Sequence, residues 1–317
     1  MRQGLQASKA VWKSDTPNRR LDQSTGEIMI FQPCTAWRRL GCVICAICVI
    51  AGLIMLAAQT VAAADKLILV SIPYGQEATL VSQFAPLAEL LSRKLGRPVE
   101  VDIADSYEDI GARLHHRVAD LGVLGPKSYV EAKAKYPDII YLATNKNPDA
   151  FYHSLIITRR DSGLESLAAL KGKSFAYTET GSTSGYLYPR QLFRSAQLDP
   201  DTLFSAAYFL GKHDKVYEAV AKGTVHAGAV SSSGMPDAVH QNGDMFKVLA
   251  TSAPIPRNAL VAGSHLPPPL VDQIREILRT AEEDPAFKSS TATSKSNGFL
   301  IRNDSFYDIV RQEREMN

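Results

Sequence analysis

Twice along this chain a short apolar run gives way to an apolar pattern at helical spacing and then to another short apolar run. That alternation leaves few folds open, because parallel strands need long crossovers and the crossover helices must cover the faces of the sheet. The first series opens with a buried-type strand at residues 66–72, stopped by the turn Pro73-Tyr74-Gly75. From Thr79, a possible cap, Leu80, Phe84, Leu87, Leu91 and Leu95 keep helical spacing; Pro86 should bend this helix, and Gly96 with Pro98 should stop it. A strand at 99–103, a helix at 107–118, a central strand within 119–126, a helix at 128–135 and a strand at 139–143 complete the series. Residues 153–158 are extended and placed to leave this first lobe.

The alternation then restarts. It predicts a helix at 164–170, strands at 174–177, 207–210, 227–230 and 246–251, and helices at 191–196 and 214–221. The tail holds a strand-like run at 259–262, a helix at 270–283 behind three prolines and a last helix at 306–314. It is too short to fold alone and is expected to return to the first lobe. The expected fold class is therefore α/β, with mostly parallel sheets in two lobes.

The N-terminal part obeys different rules. Arg38-Arg39 precede an apolar run over 40–58, and Val61-Ala62-Ala63-Ala64 forms a small-residue cleavage pattern before Asp65. This is the pattern of a secretory signal, with a retained anchor as the alternative. Residues 1–28 are polar and aperiodic, and Met29 would leave a signal of normal length. Residues 1–39 are thus read as an extension with the charged signal region, 40–64 as its apolar part and cleavage site, 65–155 as the first part of lobe I, 156–250 as lobe II, and 251–317 as the completion of lobe I. Cys34, Cys42, Cys45 and Cys48 all lie in or beside the leader, so a processed chain has neither disulfides nor cysteine-held metal. The whole chain has 35 Lys/Arg and 33 Asp/Glu; setting aside the seven and three of residues 1–64 leaves 28 basic against 30 acidic, with no basic run. That balance argues against nucleic acid as a partner.

The stretch richest in chemistry is Thr180-Gly181-Ser182-Thr183-Ser184-Gly185-Tyr186-Leu187-Tyr188-Pro189, between a predicted strand and a predicted helix. A helix start leaves amide N–H groups without intrahelical partners and carries partial positive charge, and glycines let a ligand approach the main chain. Three consecutive hydroxyls add groups that both donate and accept, which suits a partly protonated oxyanion. Taken alone, the same stretch could hold nothing more than a serine capping a helix.

Together with Leu124-Gly125-Pro126-Lys127-Ser128-Tyr129, Tyr152-His153-Ser154, Leu170-Lys171-Gly172-Lys173 and Lys212-His213-Asp214, this stretch resembles the phosphonate-, phosphite- and phosphate-type substrate-binding proteins of ABC importers. The similarity runs over nearly all of residues 66–260, and Ser-Thr-Ser-Gly-Tyr-Leu is its most specific mark. The resemblance implies a type II periplasmic binding-protein fold: two α/β lobes, hinge crossings near 153–158 and 249–253, and a ligand cleft between the lobes. It implies that Ser182, Thr183 and Ser184 bind the phosphorus-linked oxygens, that Tyr107 and Tyr152 line the cleft, and that His213 donates a further hydrogen bond. Tyr74, at the end of the first strand, stands where α/β sheets bind ligands and is ranked below the others. In place of an acid that many members carry before the Ala-Gly-Ala-Val strand, this chain has His226. Neutral histidine accepts less strongly, so that replacement disfavours an aminoalkyl phosphonate.

The implied role is capture and delivery without chemistry: a monomeric periplasmic protein with no cofactor and no metal, whose partners are a small oxyanion and an ABC permease with its ATPase. Its membrane contact would come only through that permease or an uncleaved leader. Replacing Ser182, Thr183 and Ser184 with alanine is expected to remove the ligand's stabilisation and leave the unliganded protein nearly unchanged. A sensory module acting on a membrane receptor is the alternative; no kinase or receptor domain follows Asn317, which favours transport. A hydrolase built from Ser182 or Ser184 with His213 and Asp214 is disfavoured, since there is no Gly-x-Ser-x-Gly elbow and adjacent His213 and Asp214 would splay on a helix.

Overall fold

The computed structural model describes residues 66–316 apart from 148 and 292–296. The predicted leader, its cleavage site and the four cysteines lie outside the described residues. The first βα series forms β1 (Leu67–Ser71), α1 (Glu77–Leu95), β2 (Val99–Ile103), α2 (Asp109–His115), β3 (Leu121–Leu124), α3 (Pro126–Lys135) and β4 (Ile140–Lys146). The chain then passes through β5 (Phe151–Tyr152) into β6 (Ser154–Arg159), β7 (Ser174–Tyr177), α4 (Tyr188–Ser195), β8 (Ala206–Phe209), α5 (His213–Ala221), β9 (Ala227–Ser231), α6 (Met235–Asn242) and β10 (Phe246–Thr251). It returns through β11 (Ile255–Pro256) to β12 (Ala259–Ala262), α7 (Pro268–Arg279), α8 (Pro285–Ser290), β13 (Gly298–Leu300) and α9 (Asp308–Glu315).

Two sheets result, with strand orders β13-β4-β12-β3-β1-β2 and β10-β6-β9-β7-β8, and β5 pairs with β11 as a short antiparallel ribbon where the chain passes between them. In the first sheet β1 runs parallel to β2 and β3, whereas β12 is antiparallel to both β3 and β4. In the second, β7 is parallel to β8 and β9, whereas β6 is antiparallel to β9 and β10. The physical reason is direction of entry. Strands of the βα units end at the gap between the sheets, so β6 and β12, which arrive through that gap, must run away from it.

Each sheet buries both faces. Leu67 and Leu69 of β1 pack with α1, α7 and α8, while Val70 turns to the other face against α2, α3 and α9. In the second sheet Leu155 and Ile157 of β6 meet α5 and α6, and Ile156 joins Phe175, Tyr177 and Phe193 on the opposite face. No helix among the described residues is long and apolar enough to cross a membrane.

The structure corrects several local expectations. Helix α1 begins at Glu77 with Gln76 in the capping position, so Thr79 lies in the first turn and caps nothing; the acid Glu77 suits the positive end of the helix. Pro86 sits inside α1 without ending it, and Gly96 closes the helix at φ 66°. Tyr107 precedes α2 instead of starting it. The helix expected at 164–170 is reduced to one 3-10 turn, Ala168–Leu170, because Gly163 (φ 70°) and Gly172 (φ 71°) bracket the segment with left-handed backbone. Helix α6, entered through Met235-Pro236, and the α8 and β13 elements of the tail were not foreseen.

Candidate ligand-binding site

At the gap, Ser182 has extended backbone (φ −76°, ψ 133°) and stands just before one π-helical turn, Thr183–Leu187, that runs into α4. The Ser182 hydroxyl accepts from the Gly185 amide at 3.0 Å, and the Thr178 amide donates to the Gly185 carbonyl at 3.3 Å. Gly185 is required for packing: a Cβ there would lie 1.8 Å from Thr178 Oγ1. The Ser154 hydroxyl, at the start of β6, donates to the Ser184 carbonyl at 2.7 Å and pins the turn to the crossing strand. The start of the turn, like any helix start, leaves amides without intrahelical partners.

The other lobe closes on this turn. The Lys127 amide, in the first turn of α3, donates to Thr183 Oγ1 at 2.8 Å, and Ser128 Oγ donates to the Gly181 carbonyl at 3.2 Å. The His213 amide donates to the Tyr74 carbonyl at 3.3 Å, and Gln76 Nε2 donates to Asp214 Oδ2 at 3.1 Å. Gly181 meets Tyr107 so closely that a Cβ would lie 2.5 Å from the Tyr107 Cβ.

Between the lobes is a cavity of about 80 Å³. All seven residues singled out in the sequence, Tyr74, Tyr107, Tyr152, Ser182, Thr183, Ser184 and His213, line it. Asn145, Asn258, Ser231, Ser233 and Arg257 also line it and were missed.

The polar lining is rich in groups that can donate, and it also holds one buried acceptor without a hydrogen-bond partner among the described residues, Asn145 Oδ1. Burial raises the Tyr74 and Tyr107 hydroxyls well above the usual tyrosine range and pushes Tyr152 up to about 12, so all three remain O–H donors at neutral pH. For Tyr107, burial is reinforced by the Glu179 carboxylate and partly offset by the nearby Ser182 hydroxyl; its own hydroxyl forms no well-shaped hydrogen bond inside the protein. His213 Nδ1 accepts from the Ser231 amide at 3.1 Å, which places the proton of the neutral ring on Nε2. That bond also removes the hydrolase alternative, which needs Nδ1 to donate to a carboxylate. Asp214 instead accepts from Gln76 and from the Lys215 amide.

Arg257 lies directly after the β5–β11 ribbon. Its guanidinium donates to the Asp149 carbonyl (2.9 Å), the Asn147 carbonyl (2.8 Å) and Ser233 Oγ (3.0 Å), and sits 6.0 Å from the centre of the Tyr152 ring. It forms no ion pair among the described residues. Burial pulls it down from the ordinary arginine range, with Tyr152 and Asp149 opposing that shift. Nothing local in the sequence announced it, because Ile255-Pro256-Arg257-Asn258 reads as an ordinary turn.

His226, which replaces the acid that many family members carry, stands away from the cavity. It is exposed at the start of β9, the end remote from the gap, where its Nδ1 lies 2.7 Å from Ser174 Oγ. At that position His226 neither favours nor disfavours an aminoalkyl ligand.

The family model described as ABC transporter, phosphonate, periplasmic substrate-binding protein matches residues 69–307. A phosphate-import protein PhnD of Mycolicibacterium smegmatis is 24% identical over 225 residues, 67% of this chain and 70% of that one. A binding-protein component of an ABC phosphonate transporter from Pseudomonas aeruginosa superposes with TM-score 0.73 at 23% identity, covering 79% of this chain and 86% of that one. A Prochlorococcus marinus protein in complex with methylphosphonate gives TM-score 0.72 at 20% identity, covering 80% and 98%.

Proposed function

The chain belongs to the family of periplasmic substrate-binding proteins of phosphonate ABC transporters, and from that premise we propose that it captures a small phosphorus oxyanion between its lobes and presents it to a membrane permease. The observation that carries this reading is that Ser182, Thr183 and Ser184, at one turn, line a cavity shared with tyrosine hydroxyls, a histidine, amide side chains and one arginine, with no acid in the lining. The donors of this lining suit phosphate, phosphite and methylphosphonate alike. The relatives named for phosphate import and for bound methylphosphonate support the same ligand class.

Binding would work by completion. Each lobe carries part of the donor shell, with Tyr74, Tyr107 and Gly125 on one side and Ser182–Ser184 and His213 on the other. An oxyanion that accepts from both sides favours the closed arrangement and thereby shifts the hinge equilibrium. The closed form is then the one a permease can distinguish from the empty protein.

Thermal melts with phosphate, phosphite or methylphosphonate test the reading. A bound ligand at a hundredfold over its dissociation constant should stabilise the protein by about 2.7 kcal/mol, and a double Thr183→Val, Ser184→Ala variant should lose that gain. No shift with any of the three anions would overturn the proposal. Alanine at Ser182 is less clean than the sequence suggests. Ser182 caps the Gly185 amide, so its loss should lower the unliganded stability by about 1 kcal/mol.

A further inference from the structure

The cavity carries a charge pattern that the ligand class alone does not specify. Its lining contains one guanidinium and no carboxylate. The nearest acids stand outside that lining: Glu179 is beside Tyr107, Asp149 is met by Arg257 through its carbonyl, and Asp214 lies in the outer groove bonded to Gln76. His213, the other cavity residue able to carry charge, could add only positive charge.

Resting on the oxyanion reading above, we infer that Arg257 is the residue that sets charge specificity, admitting phosphorus oxyanions with neutral substituents and rejecting those that carry an ammonium group. The guanidinium is held rigidly by three neutral acceptors on two different segments, so it cannot swing away from an incoming cation. Two of those acceptors, the carbonyls of Asn147 and Asp149, belong to the first crossing between the lobes, and the third, Ser233, belongs to the second lobe. The positive charge therefore keeps its place when the lobes meet. An ammonium enclosed in the same cavity would lose its water, meet neutral acceptors such as Asn145 Oδ1 but no acid, and feel the like charge of the guanidinium.

The test uses two ligands of the same size and shape that differ only in CH₃ against NH₃⁺: ethylphosphonate and aminomethylphosphonate, measured by calorimetry at pH 8 on the purified protein, with methylphosphonate as reference. The wild-type protein should bind ethylphosphonate more tightly by on the order of tenfold to a hundredfold. Arg257→Gln should narrow that ratio to a few-fold, and Arg257→Glu should reverse it. Unliganded melts of both variants check the fold, and Arg257→Lys, which keeps the charge but not the three bonds, should retain the preference if either melt is lost. Equal wild-type affinity for the two ligands, or an unchanged ratio in a folded Arg257→Gln protein, would overturn the inference. Failure of methylphosphonate itself to bind would instead strike the oxyanion reading on which it rests.

Discussion

Gly185→Ala tests whether the wide turn is a packed device or an incidental kink. The added methyl carbon would stand 1.8 Å from Thr178 Oγ1 and 2.7 Å from both Thr178 Cβ and Cγ2, against an ordinary contact of 3.4 Å or more. Something must move by more than 1 Å, and the neighbours have little freedom. Thr178 is fully buried, and the Gly185 amide and carbonyl are tied to Ser182 and to the Thr178 amide. Overpacking of this kind costs about 1–3 kcal/mol, and loss of the Ser182 cap adds roughly 0.5–1.5 kcal/mol. The variant should therefore be about 2–4 kcal/mol less stable in urea. Its affinity for methylphosphonate should fall along with its stability, because the displaced segment is the one that faces the ligand. A Thr178→Ala background removes the 1.8 Å and one of the 2.7 Å contacts, so the same substitution there should cost about 1 kcal/mol less. If Gly185→Ala matches the wild type in both urea midpoint and affinity, the turn is not the packed element described, and the geometric basis of the site fails with it.

Three further outcomes follow from other contacts. Tyr307→Phe removes a hydroxyl bonded to Thr144 Oγ1 at 2.8 Å and to the Arg257 carbonyl at 2.7 Å, and should lower stability by about 1–3 kcal/mol in denaturant titration. Thr183→Val strips the Lys127 amide of its acceptor across the gap; methylphosphonate affinity should drop by roughly tenfold, corresponding to about 1.4 kcal/mol. Asp284 caps α8 by accepting from the Phe287 amide at 3.0 Å; that bond, with help from Lys94 and Arg93, holds its carboxyl below the usual value of 3.8. Because the folded-state value is depressed, the carboxylate's contribution is complete above the ordinary value and is lost as pH falls through the folded one. The gap in denaturation midpoint between wild type and Asp284→Ala should accordingly be constant near neutrality and close below pH 3.8.

What could be read from the chain and what could not divide along physical lines. Strands such as 67–71 and 227–231 declare themselves because a strand buried on both faces must be apolar throughout, whereas hydroxyls between a strand and a helix serve equally as a cap, so the Ser182–Ser184 turn stands out only together with the other segments of the family resemblance. Tyr74, Tyr107 and Tyr152 were legible as residues near the ends of elements, though not as neighbours of one another. Arg257 was not legible at all: its importance comes from carbonyls more than a hundred positions away that hold a charge without neutralising it. Helix α6 was hidden because Pro236, a breaker when read as interior, is favourable in the first turn. His226 stands just before β9, and Ser231, which lines the cavity, closes that strand; the two are five positions apart in sequence but at opposite ends of the sheet.

The placement of β12 bears on how such a chain comes to be folded at all. It lies in the middle of the first sheet, between β3 and β4, yet it is made only after every strand of the second sheet has been synthesised. The second lobe is drawn from one unbroken stretch and can condense as soon as it emerges. The first must leave its own centre open until more than a hundred residues after β4, so the half of the molecule that is translated first is the half that matures last.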